Sequence, residues 1–411
     1  MRYYYINILI ACCILFSYCN TGSSKTKTAS STIQSGVAVK VDTFPAECPF
    51  LTKDNHNNVV LGWARSINDS VSVFCYAVSP DGGKSFGETI VIPGSDNLKA
   101  HAENLPKIIY KPSGEIIALW GASNPDPRNK YSGLVYYTQS FDHGKTWNKA
   151  IPLVTDTSGY DQRYYDVDLL PSGEAAITWL DNRKQSAADG SALYFASTSG
   201  RSGFKNERMI TEGCCQCCRT DLFIDSSGRI HVLYRGIIQD SIRDMLHSVS
   251  TDGGNKFSDP RLISNDRWIL RGCPHTGPAM TENKKGIHFA WYTGGNNKGC
   301  YYTLSGDNGE SFVPRQQVSN AGSHPQITTT PSEKLIIVWD EFVNAGDAPN
   351  KRIAVQIKNP DGEDETRGFV TSDSTDSSYP VVASTKNNGA VIAYLNKENK
   401  KTYVMFQRVD W

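Results

Sequence analysis

The chain lacks an excess of charge of either sign, because Lys and Arg together number 42 and Asp and Glu together also number 42. A protein that binds nucleic acid usually concentrates Lys and Arg in a basic stripe, and we find no such stripe in this sequence. The balance excludes attraction of the whole chain to nucleic acid or to an anionic membrane. We therefore expect no nucleic-acid partner.

Long hydrophobic runs are also missing. The apolar run Ile6 to Phe16 is too short to span a bilayer, which takes about 20 residues. Arg2 precedes this run and Ser17-Tyr18-Cys19 follows it, so residues 1–19 are predicted to be a signal peptide with Cys19 as a lipoprotein-type acylation site. The alternative is an ordinary cleaved signal followed by a disordered leader. Residues 20–35 are rich in Ser, Thr and Lys and are predicted to form a flexible tether.

These features predict an exported, lipid-anchored protein of the cell envelope, periplasmic or at the cell surface, that contacts the membrane through Cys19. We expect it to be a monomer.

A sustained helical period is absent as well, whereas one turn motif recurs, Ser-x-Asp-x-Gly-x-x-aromatic. Its chemistry is that of a hairpin, because the Asp carboxylate accepts turn N–H groups and Gly supplies positive φ. A fifth copy, Ser197 to Phe204, has lost the Asp. The four good copies are Ser79 to Phe86, Ser140 to Trp147, Ser250 to Phe257 and Ser305 to Phe312.

A second periodicity runs in step with the turns. Seven apolar strands end in Trp or Tyr, and each belongs to a unit of about 50 residues with the pattern of a four-stranded antiparallel meander. The sequence therefore predicts an all-β, seven-bladed β-propeller over residues 36–411, with an N-terminal strand closing the last blade. The seven strands are Val59 to Trp63, Ile116 to Trp120, Ala175 to Trp179, Ile230 to Tyr234, Ile287 to Trp291, Leu335 to Trp339 and Val391 to Tyr394.

The repeated turns resemble the Asp boxes, or BNR repeats, of the sialidase superfamily, and the resemblance covers almost the whole chain after Gly36. Sialidases have six blades, so a six-bladed ring is the alternative to our count of seven. In such propellers the Asp boxes lie on one face. The loops that carry function lie on the other, and here these loops include His101, Glu103 and His324.

The resemblance implies a glycoside hydrolase of exo-sialidase type. Such an enzyme uses an arginine triad to hold a carboxylate, a Tyr–Glu nucleophile pair and an Asp acid/base, and bidentate geometry explains why Arg is required. The first Arg of the family is missing, since Glu47-Cys48-Pro49 stands in its place. The remaining candidates are Tyr379 as nucleophile, Asp181 or Glu341 as acid or partner, and Arg163, Arg219 and Arg235 as carboxylate ligands. The alternative is that these side chains form ion pairs at the rim.

Four cysteines crowd into five residues, Cys214, Cys215, Cys217 and Cys218, and Cys273 and His275 follow one unit later. This pattern resembles a cysteine-rich insertion in uncharacterised bacterial members of the superfamily. Thiolate and imidazole groups suit Cu(I) or Zn, so these six residues are candidate metal ligands. In an oxidising compartment, disulfides within the cluster are the favoured alternative.

Three classes of function therefore stay open. The first is recognition or processing of a carbohydrate or small anionic ligand, with hydrolysis undecided. The second is a Cu or Zn site at the cysteines and His275. The third is a non-catalytic module that binds a glycan or a protein.

Overall fold

The computed structural model describes Met1 and residues 32–126, 132–155, 161–183, 189–343 and 350–411. The predicted signal peptide with Cys19, and residues 20–31 of the predicted tether, lie outside the described residues apart from Met1. Among the described residues the helical structure is one 3-10 turn, Gly200–Ser202. None of these residues forms a helix that is long and apolar enough to cross a membrane.

Short N-terminal strands and three blades occupy the first half of the chain, and the strands of each blade are consecutive and antiparallel. The strands are β1 (Gln34–Ser35), β2 (Val39–Lys40), β3 (Ala46–Lys53), β4 (Val59–Ser66), β5 (Ser72–Val78), β6 (Ile90–Val91), β7 (Lys107–Tyr110), β8 (Ile116–Ser123), β9 (Gly133–Ser140), β10 (Ile151–Pro152), β11 (Gln162–Leu169), β12 (Ala175–Asp181), β13 (Ser191–Thr198) and β14 (Phe204–Cys214).

Four further blades follow in the second half of the chain, again as consecutive antiparallel strands. These strands are β15 (Asp221–Ile224), β16 (Ile230–Arg235), β17 (Met245–Ser250), β18 (Arg261–Leu262), β19 (Ala279–Asn283), β20 (Gly286–Thr293), β21 (Gly299–Ser305), β22 (Gln316–Ser319), β23 (Gly322–Thr329), β24 (Leu335–Val343), β25 (Asn350–Lys358), β26 (Asp364–Phe369), β27 (Ser377–Ser384), β28 (Ala390–Glu398) and β29 (Lys401–Asp410).

The seven sheets close into a ring. The first strands of successive blades, β3, β7, β11, β15, β19, β23 and β27, contact one another in turn, and β27 contacts β3. In the seventh sheet β29 pairs with both N-terminal strands, with Val39 opposite Phe406 and Gln34 opposite Asp410. The prediction of a seven-bladed propeller is confirmed, and the six-bladed alternative is wrong because seven separate sheets complete the circle.

Each Asp box joins a hairpin turn to the neighbouring blade. In the first box, Asp81 Oδ1 accepts the N–H of Ser85 at 2.9 Å, and its Oδ2 accepts the Ser85 hydroxyl at 2.6 Å. Gly83 has φ of 91°, and a Cβ there would lie 2.0 Å from Val391 of the seventh blade. The glycine is therefore required both for its backbone conformation and for close inter-blade packing.

At the opposite end of the ring, four of the first strands carry the same irregularity. Cys48, Tyr164, His324 and Tyr379 have φ between 50° and 57°, and each lies at a register shift between the first and second strands. Three of the four precede a proline, which has no N–H for the sheet ladder. Bulges of this kind re-aim side chains. We call this end, defined by His101, Cys215–Cys218, Cys273–His275, His324 and Tyr379, the mouth.

Candidate functional site

Tyr379 is held rigidly at the mouth. Its ring stacks on His324 with the centroids 4.0 Å apart. Asp340 fixes both residues, because its Oδ2 lies 2.7 Å from His324 Nδ1 and accepts the Tyr379 N–H at 2.9 Å. Burial and the nearby carboxylates of Glu103 and Asp340 raise the pKa of Tyr379 to about 12. The void beside it measures only about 10 Å³, which is room for about one water molecule.

Arg219 crosses the mouth to pair with Glu103. Its Nη1 donates to Glu103 Oε1 at 2.8 Å, and both side chains are buried. The Arg219 Nη2 faces three backbone carbonyls, those of Gly277, Pro278 and Pro325, each at 3.3 Å. Burial raises the pKa of Glu103, although the charge of Arg219 opposes that shift. This Arg219–Glu103 pair ties loops of four blades together and leaves the guanidinium little capacity for a ligand.

Arg235 is also committed to the protein. It is 2% exposed. Its Nη1 donates to the Arg243 carbonyl at 2.8 Å, and its Nη2 donates to the carbonyls of Thr276 and Tyr292 at 3.1 and 2.9 Å. The guanidinium carbon lies 4.7 Å from the centre of the Trp268 ring. Arg235 therefore holds the loops under the mouth rather than presenting its charge to solvent.

Arg163 is the predicted arginine that lines open space. It contributes to a cavity of about 370 Å³ with Lys99, His101, Asn104 and Ser132. Its Nη2 pairs with Asp161, while its buried Nε has no hydrogen-bond partner among the described residues. His101 faces the same cavity, and burial, His275 and Arg163 lower its pKa, so its imidazole is neutral at pH 7. We call this space the Arg163 cavity.

Asp181 and Glu341 each accept the indole N–H of the tryptophan two residues earlier. The Trp179 and Trp339 nitrogens lie 3.1 and 2.8 Å from the respective carboxylates. Arg183 Nε lies 3.2 Å from the same Asp181 oxygen, Oδ2, whereas Arg352 donates to the other Glu341 oxygen, Oε1. The other buried tryptophans repeat this scheme with Asp42, Asn97 and Asp266 as acceptors. Holding the indole N–H in place is a structural role that explains why both carboxylates are present. Their catalytic role stays a prediction.

Three thiols meet in the turn after β14. The Cys215 Sγ lies 3.6 Å from that of Cys217 and 3.9 Å from that of Cys218, and all three residues are buried. None of the described cysteines is in a disulfide. Burial opposes ionisation of Cys218, but hydrogen bonds with Cys215 and Cys217 and the charge of Arg235 bring its pKa well below the ordinary thiol value.

Cys273 and His275 approach the same turn from the loop before β19. Their donor atoms and the Cys217 Sγ all lie within 4.8 Å of one another, and both residues are exposed. Cys214 differs from the other candidates, since its sulfur belongs to neither close set. Burial and Cys215 raise its pKa above the range of ordinary thiols.

The mouth thus gathers ten of the twelve predicted residues into adjoining groups. Asp181 pairs within its own blade, and Glu341 accepts hydrogen bonds from its own blade and from Ser319 of the preceding one. Sequence reasoning missed Lys99, Asn104 and Ser132, and it gave no role to Glu103. The Asn104 amide oxygen accepts the Tyr164 N–H at 2.7 Å, which supports the bulge beside Arg163. The Asn-Leu-Pro run at 104–106, at the start of a first strand, was the available signal.

The comparisons with known proteins agree with this architecture. The family model for the BNR repeat-like domain matches residues 87–392, well over half of the chain. The chain belongs to this family. The predicted resemblance to the Asp-box propellers of the sialidase superfamily is confirmed. No curated protein matches the sequence.

Solved structures share the fold of this BNR propeller at low identity. A polysaccharide lyase, Uly1, is 12% identical with a TM-score of 0.55 over 90% of each chain. A protein of unknown function from Dyadobacter fermentans is 14% identical with a TM-score of 0.53, over 92% of this chain and 99% of its own. A mutant of the NanB sialidase from Streptococcus pneumoniae is 9% identical with a TM-score of 0.50, over 87% of this chain and 84% of its own.

The named enzymes among these structures, a sialidase and a polysaccharide lyase, catalyse different reactions. The shared fold therefore does not assign a reaction to this BNR propeller. The chemistry of the mouth must decide. That chemistry consists of the Arg163 cavity, a closed corner at Tyr379 and the thiol cluster of Cys215, Cys217 and Cys218.

Proposed function

We propose that this BNR propeller is an exported protein that recognises an acidic saccharide in the Arg163 cavity. One observation carries the proposal, which is the donor set of that cavity. Lys99 and Arg163 supply positive charge, Asp161 neutralises the share of Arg163 and leaves that of Lys99, and Asn104 and Ser132 supply neutral hydrogen-bonding groups. The carboxylate of a sugar acid suits a guanidinium, and its hydroxyls suit amide and hydroxyl partners.

A cavity of similar size at the Asp-box end differs from the Arg163 cavity in the balance of its charges. It measures about 360 Å³ and is lined by Lys111, Glu115, Glu174 and Arg201. There the Lys111 ammonium contacts Glu115 at 2.7 Å and Glu174 at 2.8 Å, so acidic groups neutralise the positive charge. An anionic ligand is therefore expected at the mouth and not at the Asp-box end.

Recognition is favoured over hydrolysis by the state of the catalytic candidates. The void beside Tyr379 is too small for a sugar ring, and Arg219 is paired with Glu103. The solved neighbours named as a sialidase and a polysaccharide lyase support a carbohydrate as the ligand class, while leaving the reaction open.

Calorimetric titration with sialylated and uronic-acid oligosaccharides, each matched to a neutral oligosaccharide of equal length, tests the proposal. We expect binding of acidic sugars only, weakening as salt rises. Arg163→Met should weaken binding at least tenfold, because a charged hydrogen-bond donor of the cavity is lost. Arg201→Met, at the Asp-box cavity, is the matched control and should bind as the native chain does. Equal binding of neutral and acidic sugars would refute the proposal.

Turnover of a fluorogenic sialoside separates recognition from catalysis. A binding protein should release no fluorophore above the uncatalysed rate. Release that disappears in Tyr379→Phe, with sugar binding retained, would instead identify the mouth as a sialidase-like active site.

We also propose that Cys19 anchors the protein to the cell envelope. The short apolar run before Cys19 and the polar residues after it support export and acylation. Metabolic labelling with a radioactive fatty acid should mark the native chain and not Cys19→Ser. Equal labelling of both chains would contradict the anchor.

A further inference from the structure

The Cys-Gln-Cys-Cys turn arranges sulfur atoms at the spacing of metal ligands. Four sulfurs placed tetrahedrally at the usual zinc distance of about 2.3 Å lie roughly 3.8 Å apart. The two short separations here, 3.6 Å for Cys215 to Cys217 and 3.9 Å for Cys215 to Cys218, bracket that value. A disulfide would need a separation of about 2.05 Å. Two of the three edges between these sulfurs therefore match a tetrahedral site, and the third, from Cys217 to Cys218, is within 4.8 Å.

A fourth corner is within reach from another blade. Cys273 and His275 lie against Cys217, with their donor atoms within 4.8 Å of its sulfur. Cys217 is thus shared by two sets of donors, one within its own turn and one from a loop more than fifty residues later in the chain. Cys273 and His275 are exposed while the three turn cysteines are buried, so the site would have a buried base and one open side.

The surroundings are suited to the charge of bound thiolates. Three thiolates leave one negative charge in excess on a divalent ion and two in excess on a monovalent ion. Arg235 is buried close enough to Cys218, and Arg163 close enough to Cys217, for each pair to interact electrostatically. Buried charge of this kind is tolerated only when it is compensated nearby.

We propose that Cys215, Cys217 and Cys218 bind one thiophilic ion, Zn²⁺ or Cu⁺, and that Cys273 or His275 supplies the remaining ligand. Both ions have a filled d shell and accept thiolate and imidazole donors without a redox step. On binding, each ligating thiol that is still protonated releases its proton to solvent. The assignment leaves out Cys214, which the sequence pattern alone places in the cluster.

The full chain, purified without chelator under anaerobic conditions, provides the test. Elemental analysis and a free-thiol count should give one zinc or copper ion per chain and no disulfide. Competition with a chromophoric zinc chelator in one arm, and with a copper(I) chelator in the other, distinguishes the two ions. A chain without metal whose turn cysteines are oxidised in pairs would overturn the proposal.

Variants locate the ligands. Cys215→Ser, Cys217→Ser and Cys218→Ser should each lower metal affinity by at least tenfold, whereas Cys214→Ser, the adjacent buried control, should keep it. Cys273→Ser and His275→Ala show which of the two residues is the outer ligand. Loss of metal in Cys214→Ser equal to that in Cys215→Ser would overturn the assignment.

A second measurement guards against variants that fail to fold. Cobalt(II) added to the native chain should give the intense near-ultraviolet absorption of sulfur-to-metal charge transfer. Absence of this absorption in the folded native chain would also overturn the proposal. The readout does not depend on any sugar ligand, so it is independent of the function proposed above.

Discussion

At the Asp-box end of the ring the turns repeat one hydrogen-bonding pattern, whereas at the mouth each blade presents different side chains. Asp81, Asp142 and Asp307 each accept the hydroxyl and N–H groups of their own turns, and each has its pKa lowered to about 2, chiefly by a side-chain hydroxyl. At the mouth, Glu103 is buried and Tyr379 is partly buried among residues from distant blades, and their pKa values are raised. Local hydrogen bonds therefore stabilise one end and long-range contacts the other.

The comparison teaches where sequence change is tolerated. The third blade has lost the Asp of its box, yet Gly203 keeps φ of 70° and would meet the Tyr137 hydroxyl of the preceding blade at 2.1 Å if it carried a Cβ. Gly362 in the sixth blade likewise abuts Tyr302. The close approach of glycine to the next blade is therefore more general than the carboxylate that defines the motif.

The largest effect is expected at the Arg219–Glu103 pair. Arg219→Met should lower the free energy of unfolding by about 3–5 kcal/mol, because Glu103 is left buried without its partner. Chemical denaturation followed by tryptophan fluorescence measures the loss. The charge-free double variant Glu103→Gln/Arg219→Met should recover a large part of it, and no recovery would show that packing, not charge, holds the mouth together.

The Asp-box glycines offer a matched pair of substitutions. Gly83→Ala should cost roughly 2–4 kcal/mol, because it combines a left-handed backbone with a clash against Val391. Gly253 also has a positive φ, 72°, but no atom lies within 4 Å of an added Cβ. Gly253→Ala should therefore lower the free energy of unfolding by only about 1 kcal/mol. Thermal unfolding of the two variants compares them, and equal losses would remove inter-blade packing as the reason for the repeat.

The indole acceptors test whether the carboxylates at the mouth end are structural. Asp181→Leu leaves the buried Trp179 N–H without its acceptor and should cost about 1–3 kcal/mol. Asp181→Asn keeps an acceptor oxygen and should cost less than Asp181→Leu. The unfolding midpoints of the two variants measure the difference. A stable Asp181→Leu chain would instead leave Asp181 free for the catalytic role that the sequence suggested.

The difference between local hydrogen bonds at the Asp-box end and long-range contacts at the mouth also explains how much of the molecule could be predicted from the sequence. The fold was readable because each Asp box combines its carboxylate, hydroxyl and glycine within eight residues, and repetition adds weight to every copy. For the mouth, the sequence predicted which residue types are present but not which of them contact one another. Pairing of Arg219 with Glu103 joins positions 116 residues apart, and no local pattern records it.

The candidate site divides in the same way. Cysteines 215, 217 and 218 form one local turn, so their clustering was predictable from spacing. The sequence did not show that Asp181 and Glu341 each accept the indole N–H of the tryptophan two residues earlier, and their catalytic role stays a prediction. The position of Arg163 in a loop predicted that it belongs to the site, whereas Lys99, which lines the same cavity, lies in no recognisable motif.

The smallest effects concern pH, and they should have opposite signs at the two ends. Asp307 has a folded pKa of about 2, below the unfolded value of roughly 3.9, so the stability that it contributes is present above pH 4 and is lost as pH falls toward 2. Glu103 has a raised pKa, so its contribution is present below about pH 4.3 and is lost as pH rises through the folded value.

Asp307→Asn should therefore flatten the acid limb of a plot of unfolding temperature against pH. The change should be about one or two degrees, because the carboxylate is exposed and its interactions are screened. Glu103→Gln should lower the whole plot, because Arg219 loses its charged partner, and should flatten it above pH 4.3, because the side chain can no longer ionise. The shape of the acid limb should not change. If both variants altered the same limb, the two ends of the ring would not differ in how they stabilise carboxylates, and the contrast between local and long-range stabilisation would fail.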